Sequence, residues 1–592
     1  MSETAPVPPG TGDLPAVATS PRSLLVSVRE SFARWLHSIG EDRLFLMLAV
    51  LIGIFSGIAV VCFRIAIEFT RFSFLGSSLA PSALRVLLAP TLGGLAVAAL
   101  VLRVFPEARG SGVNQTKAAV YVRNGYIPFS AVIAKFVTCA LAIGSGHSLG
   151  PEDPSLHMGA GIASAIGRRL KFSQSKIRLI APVGAAAGLA AAFNAPISAV
   201  LFVIEEVIGT WSAGVLGAVV LAAVSSVITM RSFLGRESLF RVPPFQLAHP
   251  GEVLAYVVLG IVGGIASLGF LKWIAYARPR LQTLPTWTQY FQPAAAGLMI
   301  GVIGVKFPQV LGAGYAVIDE AMHGQFTWKL LIVLAGLKIL ATGLSFLSGT
   351  PGGMFAPSLF VGAMLGGAVG SIEQHFFPAL TGTIGTFALV GMGTFFAGFL
   401  RVPITSVFMV IELSGNYTAI LPVMISTLVA YLISRQYQKI PLFDMLSRQD
   451  GLVLPSIEER REQVTLVVDD AMRTDAAIVV EPVDSVTDIA RVLAAEGDSP
   501  VLLRVKVGEW RLLDPAHLQG LSADASAPHT AAEVDFKGPL PMIFPDEPLE
   551  EVMRWAGDWP VLPVVNRGDL GKLEGILTLP DILTAFRKAA AV

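Results

Sequence analysis

Residues 145–160 read SGHSLGPEDPSLHMGA, and residues 348–363 read SGTPGGMFAPSLFVGA. The two stretches align without a gap, and half of their positions are identical: Ser145/Ser348, Gly146/Gly349, Gly150/Gly353, Pro154/Pro357, Ser155/Ser358, Leu156/Leu359, Gly159/Gly362 and Ala160/Ala363. A second pair follows in the same order, with PISAVLFVIE at 196–205 matching PITSVFMVIE at 403–412. Two matches in one order at nearly the same separation indicate a duplicated half-chain.

The composition is that of a membrane protein with several spans. Mean hydropathy is +0.66, 53% of residues are hydrophobic and 15% are charged. A longer uncharged run, 339–372, is interrupted by Gly349, Pro351, Gly352 and Gly353, which predicts two elements that meet at a break inside the membrane. Further uncharged runs approach the ~20 residues that a spanning helix needs, at 44–63, 86–102, 212–230, 253–271 and 413–434.

Several classes of function are excluded by composition and motifs. The formal net charge is zero, which provides no electrostatic footprint for nucleic acid. Cys62 and Cys139 lie far apart in apolar surroundings and indicate neither a disulfide framework nor a thiolate metal site. No metal-ligand spacing and no phosphate-binding GxxxxGK[ST] motif occurs. The sequence therefore predicts a protein that is not an enzyme and that requires no cofactor or metal.

The chain divides into four predicted segments. They are an N-terminal tail with an amphipathic helix at 1–42, a membrane domain at 43–446, a polar linker at 447–463, and a soluble α/β region at 464–592 with halves at about 464–525 and 533–592. The first residues are rich in Pro, Ala and Thr and lack the cationic and apolar regions of a signal peptide, so we predict a flexible tail.

The α/β region contains two β-α-β-β-α units that resemble a pair of CBS domains, a module that often regulates membrane transporters. In the second unit, Thr578 and Asp581 lie where nucleotide-binding CBS domains hold phosphate and ribose. The resemblance therefore implies a site for an adenine nucleotide. In the first unit, Asp514 and His517 occupy these positions and argue against a second site. A structural or dimerising module without a ligand is the alternative.

Each copy of the repeated stretch predicts a helix that begins inside the membrane. Pro154 and Pro357 follow a Gly-rich turn and fall in the first turn of a helix, where proline is tolerated. Such a helix start directs unpaired N–H groups and positive partial charge into the protein. Two starts that face one point form an anion site without Lys or Arg. This arrangement suits a transported anion, because full charges would hold it too tightly for release.

Four motifs resemble the signature regions of the CLC chloride channel and transporter family: GSGVN at 110–114, GPEDP at 150–154, GMFAP at 353–357 and SGNYTAILP at 414–422. The resemblance covers about 43–446. It implies an all-α polytopic domain of two inverted repeats with broken helices, followed by the α/β CBS pair. It also implies a homodimer, a multi-pass location in the cell inner membrane, and cytoplasmic CBS domains.

The family resemblance assigns the anion ligands. Ser111 and Tyr417 resemble residues whose hydroxyl groups contact the central anion, and the backbone near Met354, Phe355 and Ala356, together with Glu152, resembles the rest of the path. For Ser111 the alternative is a helix cap. For Tyr417 it is an anchor at the membrane interface.

Glu152 and Glu206 differ from their partners in the repeat. Glu152 lies opposite Phe355 and resembles the family's gating glutamate, whose carboxylate occupies the outer anion site until it is protonated. A carboxylate that only caps a helix is the alternative. Glu205 matches Glu412, which favours a shared structural role, whereas Glu206 lies opposite Leu413 and points about 100° away from Glu205.

Glu206 resembles the inner proton-transfer glutamate of proton-coupled family members. Its alternative role is a carboxylate in a subunit interface or solvent pocket. We therefore predict chloride/proton antiport, in which protons pass between Glu152 and Glu206. A passive gated chloride channel is the main alternative. Fluoride transport is disfavoured because Ser111 and Tyr417 are both present, and an intramembrane hydrolase is disfavoured because no nucleophile–base pair occurs.

Three residues depart from the family pattern. Pro151 replaces a usual Lys or Arg, Asp153 a usual Gly, and Asn114 a usual Pro. Carboxylates of Glu152 and Asp153 at ~6 Å would repel by ~3 kcal/mol at an effective dielectric of ~20. We therefore expect Asp153 to weaken the outer anion site and to favour protonation of Glu152. Asn114 removes a rigid helix start, but its side chain can itself hydrogen-bond locally.

Overall fold

The computed structural model describes residues 41–76, 81–170, 174–209, 213–235, 239–240, 251–378, 382–415, 417–452, 454, 466–474, 477–496, 499–513, 530–534 and 536–590. The chain forms two compact units, and the boundary between them falls between Arg460 and Arg461. Residues 1–40 of the predicted N-terminal segment lie outside the described residues, as do Asp514 and His517.

The first unit is helical. Its helices are α1 (Glu41–Leu75), α2 (Ala83–Arg103), α3 (Gly112–Tyr121), α4 (Phe129–Ser145), α5 (Glu152–Arg169), α6 (Gln174–Phe193), α7 (Pro196–Phe202), α8 (Ala213–Leu234), α9 (Glu252–Gln282), α10 (Gln292–Lys306), α11 (Tyr315–Met322), α12 (Trp328–Leu347), α13 (Phe355–Phe376), α14 (Ile384–Leu400), α15 (Pro403–Ser414), α16 (Ile420–Tyr437) and α17 (Leu442–Gln449). A π-helical turn, Val203–Ile208, continues α7. The last helix, α17, extends into the predicted linker.

Eight helices in the described part of the chain are long and apolar enough to cross a membrane. Over their described residues, four of the five shorter uncharged runs fall within single helices, whereas the run 413–434 extends from the end of α15 into α16. The longer run 339–372 forms two helices, because α12 ends at Leu347 and α13 begins at Phe355. The predicted break is therefore confirmed.

The two copies of the repeated stretch face each other. The amide of Gly150 donates to the carbonyl of Gly353 at 2.8 Å, and the amide of Gly353 donates back to the carbonyl of Gly150 at 2.9 Å. The two residues form an antiparallel bridge, and they are equivalent positions of the repeat. Mutual antiparallel bonding between equivalent residues is what two inverted copies related by a pseudo-two-fold axis produce.

Two glutamates at equivalent positions of the repeat, Glu205 and Glu412, make equivalent contacts. Glu205 accepts hydrogen bonds from the amide and hydroxyl of Thr405 at 2.9 and 2.8 Å. Its equivalent, Glu412, accepts from the amide and hydroxyl of Ser198 at 2.7 and 2.5 Å. Each carboxylate therefore caps the first turn of the helix that begins the other copy's matching segment. This reciprocal capping supports the shared structural role predicted for the pair.

Glycine permits close helix packing at equivalent places in both halves. A Cβ atom on Gly159 of α5 would lie 2.1 Å from the carbonyl oxygen of Gly184 in α6. In the second half, a Cβ atom on Gly362 of α13 would lie 2.3 Å from the carbonyl oxygen of Gly391 in α14. Helices in membranes associate closely through such small residues. The duplicated glycine therefore fixes the same helix pair twice.

The second unit is α/β. Its described elements are β1 (Ile478–Val480), α18 (Val486–Glu496), β2 (Val501–Lys506), β3 (Glu509–Leu513), α19 (Leu549–Ala556), β4 (Leu562–Asn566), β5 (Asp569–Leu577) and α20 (Leu579–Ala590). Strand β2 pairs in parallel with β1 and antiparallel with β3. Strand β4 pairs antiparallel with β5, and Ile543, from the predicted strand 540–544, makes a parallel bridge to Val564. The same pairing order thus occurs twice.

The reciprocal caps lead to a prediction about stability. Glu412→Ala and Glu205→Ala should each lower the free energy of unfolding by about 1–2 kcal/mol, because each removes the acceptor for a helix's unpaired amides. Thermal unfolding of the detergent-purified protein measures the loss. Glu68→Ala is the control, since Glu68 forms only an exposed pair with Arg71. Equal effects of all three substitutions would contradict the capping role.

Candidate functional site

A small cavity lies where the two broken helices meet. Its walls combine the residue before α3, the start of α5, the end of α12, the second break and the first residues of α13 and α17: Ser111, Asp153, Phe346, Gly352, Met354, Phe355 and Phe443. None of these described lining residues is Lys or Arg. The predicted residues Ser111, Met354 and Phe355 are thus brought together around one space.

Asp153 binds the start of α3. Its Oδ1 atom accepts from the Ser111 hydroxyl at 3.0 Å and from the Val113 amide at 2.8 Å, while Oδ2 accepts from the Gly112 amide at 2.8 Å. The side chain is buried. A carboxylate suits this position because the first amides of α3 lack partners within the helix and carry positive partial charge.

Glu152 faces a different set of donors. Its Oε2 atom lies 3.4 Å from the amide of Ala356, at the start of α13, and its Oε1 atom accepts from the hydroxyl of Tyr315, at the start of α11. A Cβ atom on Gly150 would lie 2.3 Å from Oε2, so the glycine makes room for the carboxylate. The first half of the chain thus places a carboxylate on an amide of the second half's helix start, and the gating role of Glu152 stays a prediction.

The carboxylates of Glu152 and Asp153 accept from different donors. Neighbouring helical residues point about 100° apart, and each of the two side chains contacts its own helix start. The repulsion expected between them stays a prediction. A local hydrogen bond of Asn114 is not found: its side chain is buried, and neither polar atom has a partner among the described residues.

Tyr417 does not reach the cavity. Its side chain is 73% exposed on the short turn before α16, and the aromatic residue of α17 at the cavity is Phe443. This placement contradicts the prediction that the Tyr417 hydroxyl contacts the anion, and its exposure fits the alternative of an interfacial anchor. Phe443 has no hydroxyl group, so among the described lining residues only Ser111 carries one.

A buried ion cluster lies next to this cavity. The Nζ atom of Lys117 is 2.8 Å from Oε1 of Glu206 and 2.8 Å from Oδ1 of Asp444, and all three side chains are buried. Lys117 belongs to α3, which Ser111 precedes, and Asp444 follows Phe443 in α17. Glu206 lies in the π-helical turn, a geometry that is frequent at functional sites. The cluster therefore joins Glu206 to two elements of the cavity wall.

Four participants in the site were not predicted from the sequence. Tyr315 and Lys117 lie outside the repeated stretches, and Phe443 and Asp444 fall in a short segment at the end of the predicted membrane domain. One signal was available: Lys117 is the one charged residue of the stretch 110–122, and a lysine within a membrane domain requires a buried partner or a function. Its partners lie far away in sequence, so the pattern alone could not identify them.

The chain resembles known proteins over most of the helical unit. Residues 93–435 match the family described as voltage gated chloride channel. The H(+)/Cl(-) exchange transporter ClcA of Vibrio campbellii is 32% identical over 415 residues, covering 68% of this chain and 88% of that protein. The ClcB-like chloride channel protein of Ralstonia nicotianae is 31% identical over 354 residues, covering 58% and 81%. This chain therefore belongs to the voltage-gated chloride channel family and is an integral multi-pass membrane protein.

Solved structures share the fold. A slow cyanobacterial Cl-/H+ antiporter superposes with a TM-score of 0.64 at 24% identity, covering 69% of this chain and 98% of that chain. A eukaryotic CLC transporter superposes with a TM-score of 0.59 at 19% identity, covering 91% and 97%. The predicted CLC-like fold class is confirmed.

The ion cluster leads to a prediction. Lys117→Met should lower the free energy of unfolding by about 3–5 kcal/mol, because it leaves two carboxylates buried without their cation. Thermal unfolding in detergent measures the effect. Arg71→Met, which breaks the exposed pair with Glu68, should cost less than about 1 kcal/mol. Adding Glu206→Gln and Asp444→Asn to Lys117→Met should restore much of the loss, and no restoration would contradict the electrostatic explanation.

Proposed function

We propose that this protein exchanges chloride for protons across a membrane. One observation carries the proposal: two buried glutamates, Glu152 and Glu206, bind elements that also form the wall of one anion cavity. Glu152 binds Ala356, next to Phe355 of the wall. Glu206 is joined through Lys117 to α3. The relatives named as exchange transporters support the same reaction.

The proposed anion path uses backbone amides. The starts of α3 and α13 direct N–H groups toward the cavity region, and Ser111 adds a hydroxyl. A chloride ion that binds the start of α13 competes with the carboxylate of Glu152 for the amide of Ala356. Protonation of Glu152 weakens its hold on that amide and opens the position to the anion. Anion and proton binding are then linked through one site.

The proposed inner proton site is the cluster around Glu206. One lysine faces two carboxylates, so the fully ionised cluster carries a charge of −1. Uptake of one proton by Glu206 or Asp444 makes the cluster neutral while Lys117 keeps one ionised partner. The arrangement can therefore accept a single proton without leaving a buried charge unpaired. We assign proton transfer to Glu206, with Asp444 as its neighbour in the cluster, because Glu206 is the residue that resembles the family's inner proton-transfer glutamate.

A passive gated chloride channel remains the principal rival, since the same anion path serves it. A second hydroxyl ligand no longer disfavours fluoride, because Tyr417 lies outside the cavity and, among the described lining residues, only Ser111 supplies a hydroxyl. Chloride is favoured by the names of the relatives. An intramembrane hydrolase finds no support among the relatives, which are named as an exchange transporter and a chloride channel protein.

Flux through the purified protein in liposomes tests the exchange. With unequal pH and unequal chloride across the membrane, the reversal potential should depend on both gradients. Glu206→Gln should abolish proton movement while chloride movement continues, because the amide cannot accept the proton. Combined chloride and pH-electrode recordings measure both fluxes.

Glu205→Gln is the matched control. It makes the same change one residue earlier, on a side chain that caps Thr405, and it should keep proton coupling. A wild-type reversal potential that ignores the pH gradient would support the channel instead. Loss of coupling in both variants would assign the effect to local structure and not to proton transfer by Glu206.

We also propose that the C-terminal unit is a CBS pair. Two observations support this: the repeated order of a parallel and then an antiparallel strand pair, and one apolar cluster that includes Leu502 and Trp510 with Val565 and Ile576. Thr578 and Asp581 are the proposed nucleotide contacts. In the structure, Asp581 accepts a hydrogen bond from the Thr578 hydroxyl at 2.5 Å and forms an ion pair with Arg473 at 3.2 Å.

Nucleotide binding is tested on the full-length protein. ATP or AMP at about 100 times its dissociation constant should stabilise the bound unit by about 2.7 kcal/mol, measured as a shift of its unfolding transition. Asp581→Ala should remove the shift, whereas Asp569→Ala, a change elsewhere in the same unit, should keep it. The absence of any shift with either nucleotide would favour a structural or dimerising module.

The remaining assignments rest on the family resemblance. We propose a homodimer in the cell inner membrane with cytoplasmic CBS domains. Exposed apolar side chains at equivalent places of α7 and α15, Ile197 and Ile404, are available for a partner subunit or for lipid. Cross-linking of cysteine substitutions at these two positions distinguishes a partner from lipid.

A further inference from the structure

The donors at the start of α3 are already occupied by the protein. Ser111, Gly112 and Val113 offer one hydroxyl and two amides, and all three donate to Asp153 at 2.8–3.0 Å. Hydroxyl and amide donors of this kind, at a helix start, are what an anion binds. Here the carboxylate of a neighbouring helix fills the place of that anion.

The occupant is buried and bound by three donors. Asp153 has 3% of its surface exposed, and it lines the same cavity as Met354 and Phe355. Lys135 of α4 is fully buried and donates to the carbonyl of Gly110 at 2.6 Å, so it fixes the residue that precedes Ser111. The three donors at the start of α3 therefore hold the Asp153 side chain in a fixed position in the cavity wall.

A free anion cannot share these donors with Asp153. Each N–H group has one hydrogen and directs it along one line, and the bonds from Gly112 and Val113 are already at 2.8 Å. A chloride ion near Ser111 would also meet the repulsion of a carboxylate in a space of low dielectric. Binding at Ser111 therefore requires that the side chain of Asp153 turn away or lose its charge.

We propose that Asp153 is a tethered competitor of the transported anion at the Ser111 site. The proposal rests on the proposed anion transport and adds a second competitor to Glu152. The two consecutive residues Glu152 and Asp153 bind the starts of α13 and α3 respectively, so both helix starts hold a carboxylate of the protein when no chloride is bound. The protein is thereby set to bind chloride weakly, and chloride must displace Asp153 to reach Ser111.

Chloride binding to the full-length protein in detergent tests the proposal. Isothermal titration with chloride at one fixed pH should give at least tenfold tighter binding for Asp153→Asn and for Asp153→Gly than for wild type. The first variant keeps the shape of the side chain without its charge, and the second empties the position. Asp450→Asn is the matched control, because Asp450 pairs with Arg278 away from the cavity lining, and it should leave the affinity unchanged.

A second measurement locates the anion. Crystals of Asp153→Asn soaked in bromide should show anomalous density next to Ser111, and wild-type crystals under the same conditions should show much less. If Asp153 only caps α3, both variants will unfold at lower temperature while their chloride affinity stays equal to or below that of wild type, and this result would overturn the proposal. Bromide beside Ser111 at equal occupancy in wild type would also overturn it.

The outcome is separable from that of the proposed function. Wild-type protein that exchanges chloride for protons, combined with unchanged affinity in the Asp153 variants, rejects only the competitor. A lack of chloride binding in wild type and in both variants rejects the competitor and the anion path together. Tighter binding in the variants with no proton coupling in wild type supports the competitor and rejects the exchange.

Discussion

Two mutual hydrogen bonds between Gly150 and Gly353 hold the centre of the membrane unit together. Each break leaves backbone groups without helical partners, and such groups are costly inside a membrane unless the protein satisfies them. By bonding to each other, the two breaks meet that requirement and come together at one place. The helix starts at Glu152 and Phe355 follow directly, so the facing amides are a consequence of how the breaks are satisfied.

The third helix start, at α3, is fixed by a different interaction. Lys117 lies within α3 and pairs with Glu206 of the π-helical turn and Asp444 of α17. Because a buried lysine must keep its partners, α3 and α17 are held beside each other. Ser111 at the start of α3 and Phe443 next to Asp444 then both reach the cavity. The proposed proton site and the anion cavity thus depend on the same ion cluster.

The sequence predicted the features that a local pattern or a repeat can encode. The break between Leu347 and Phe355, the equivalence of Glu205 with Glu412, and the meeting of Ser111 with Met354 all follow from motif and duplication. Two features could not be predicted: that Phe443 and not Tyr417 lies at the cavity, and which residues pair with Lys117. Those contacts join segments about 90 to 330 residues apart, so only tertiary packing determines them.

The role of Asp153 depends on the direction in which its side chain points from α5. Read along the sequence, it stands beside Glu152 and should repel it. On a helix, adjacent residues point about 100° apart, so the two carboxylates reach different helix starts and each gains its own donors. The same rotation separates Glu205, which caps a helix, from Glu206, which enters the ion cluster. Adjacent acidic residues in this protein therefore contact different helix starts because of their helical phase, and a glycine at 153 would leave the three donors at the start of α3 without a carboxylate partner.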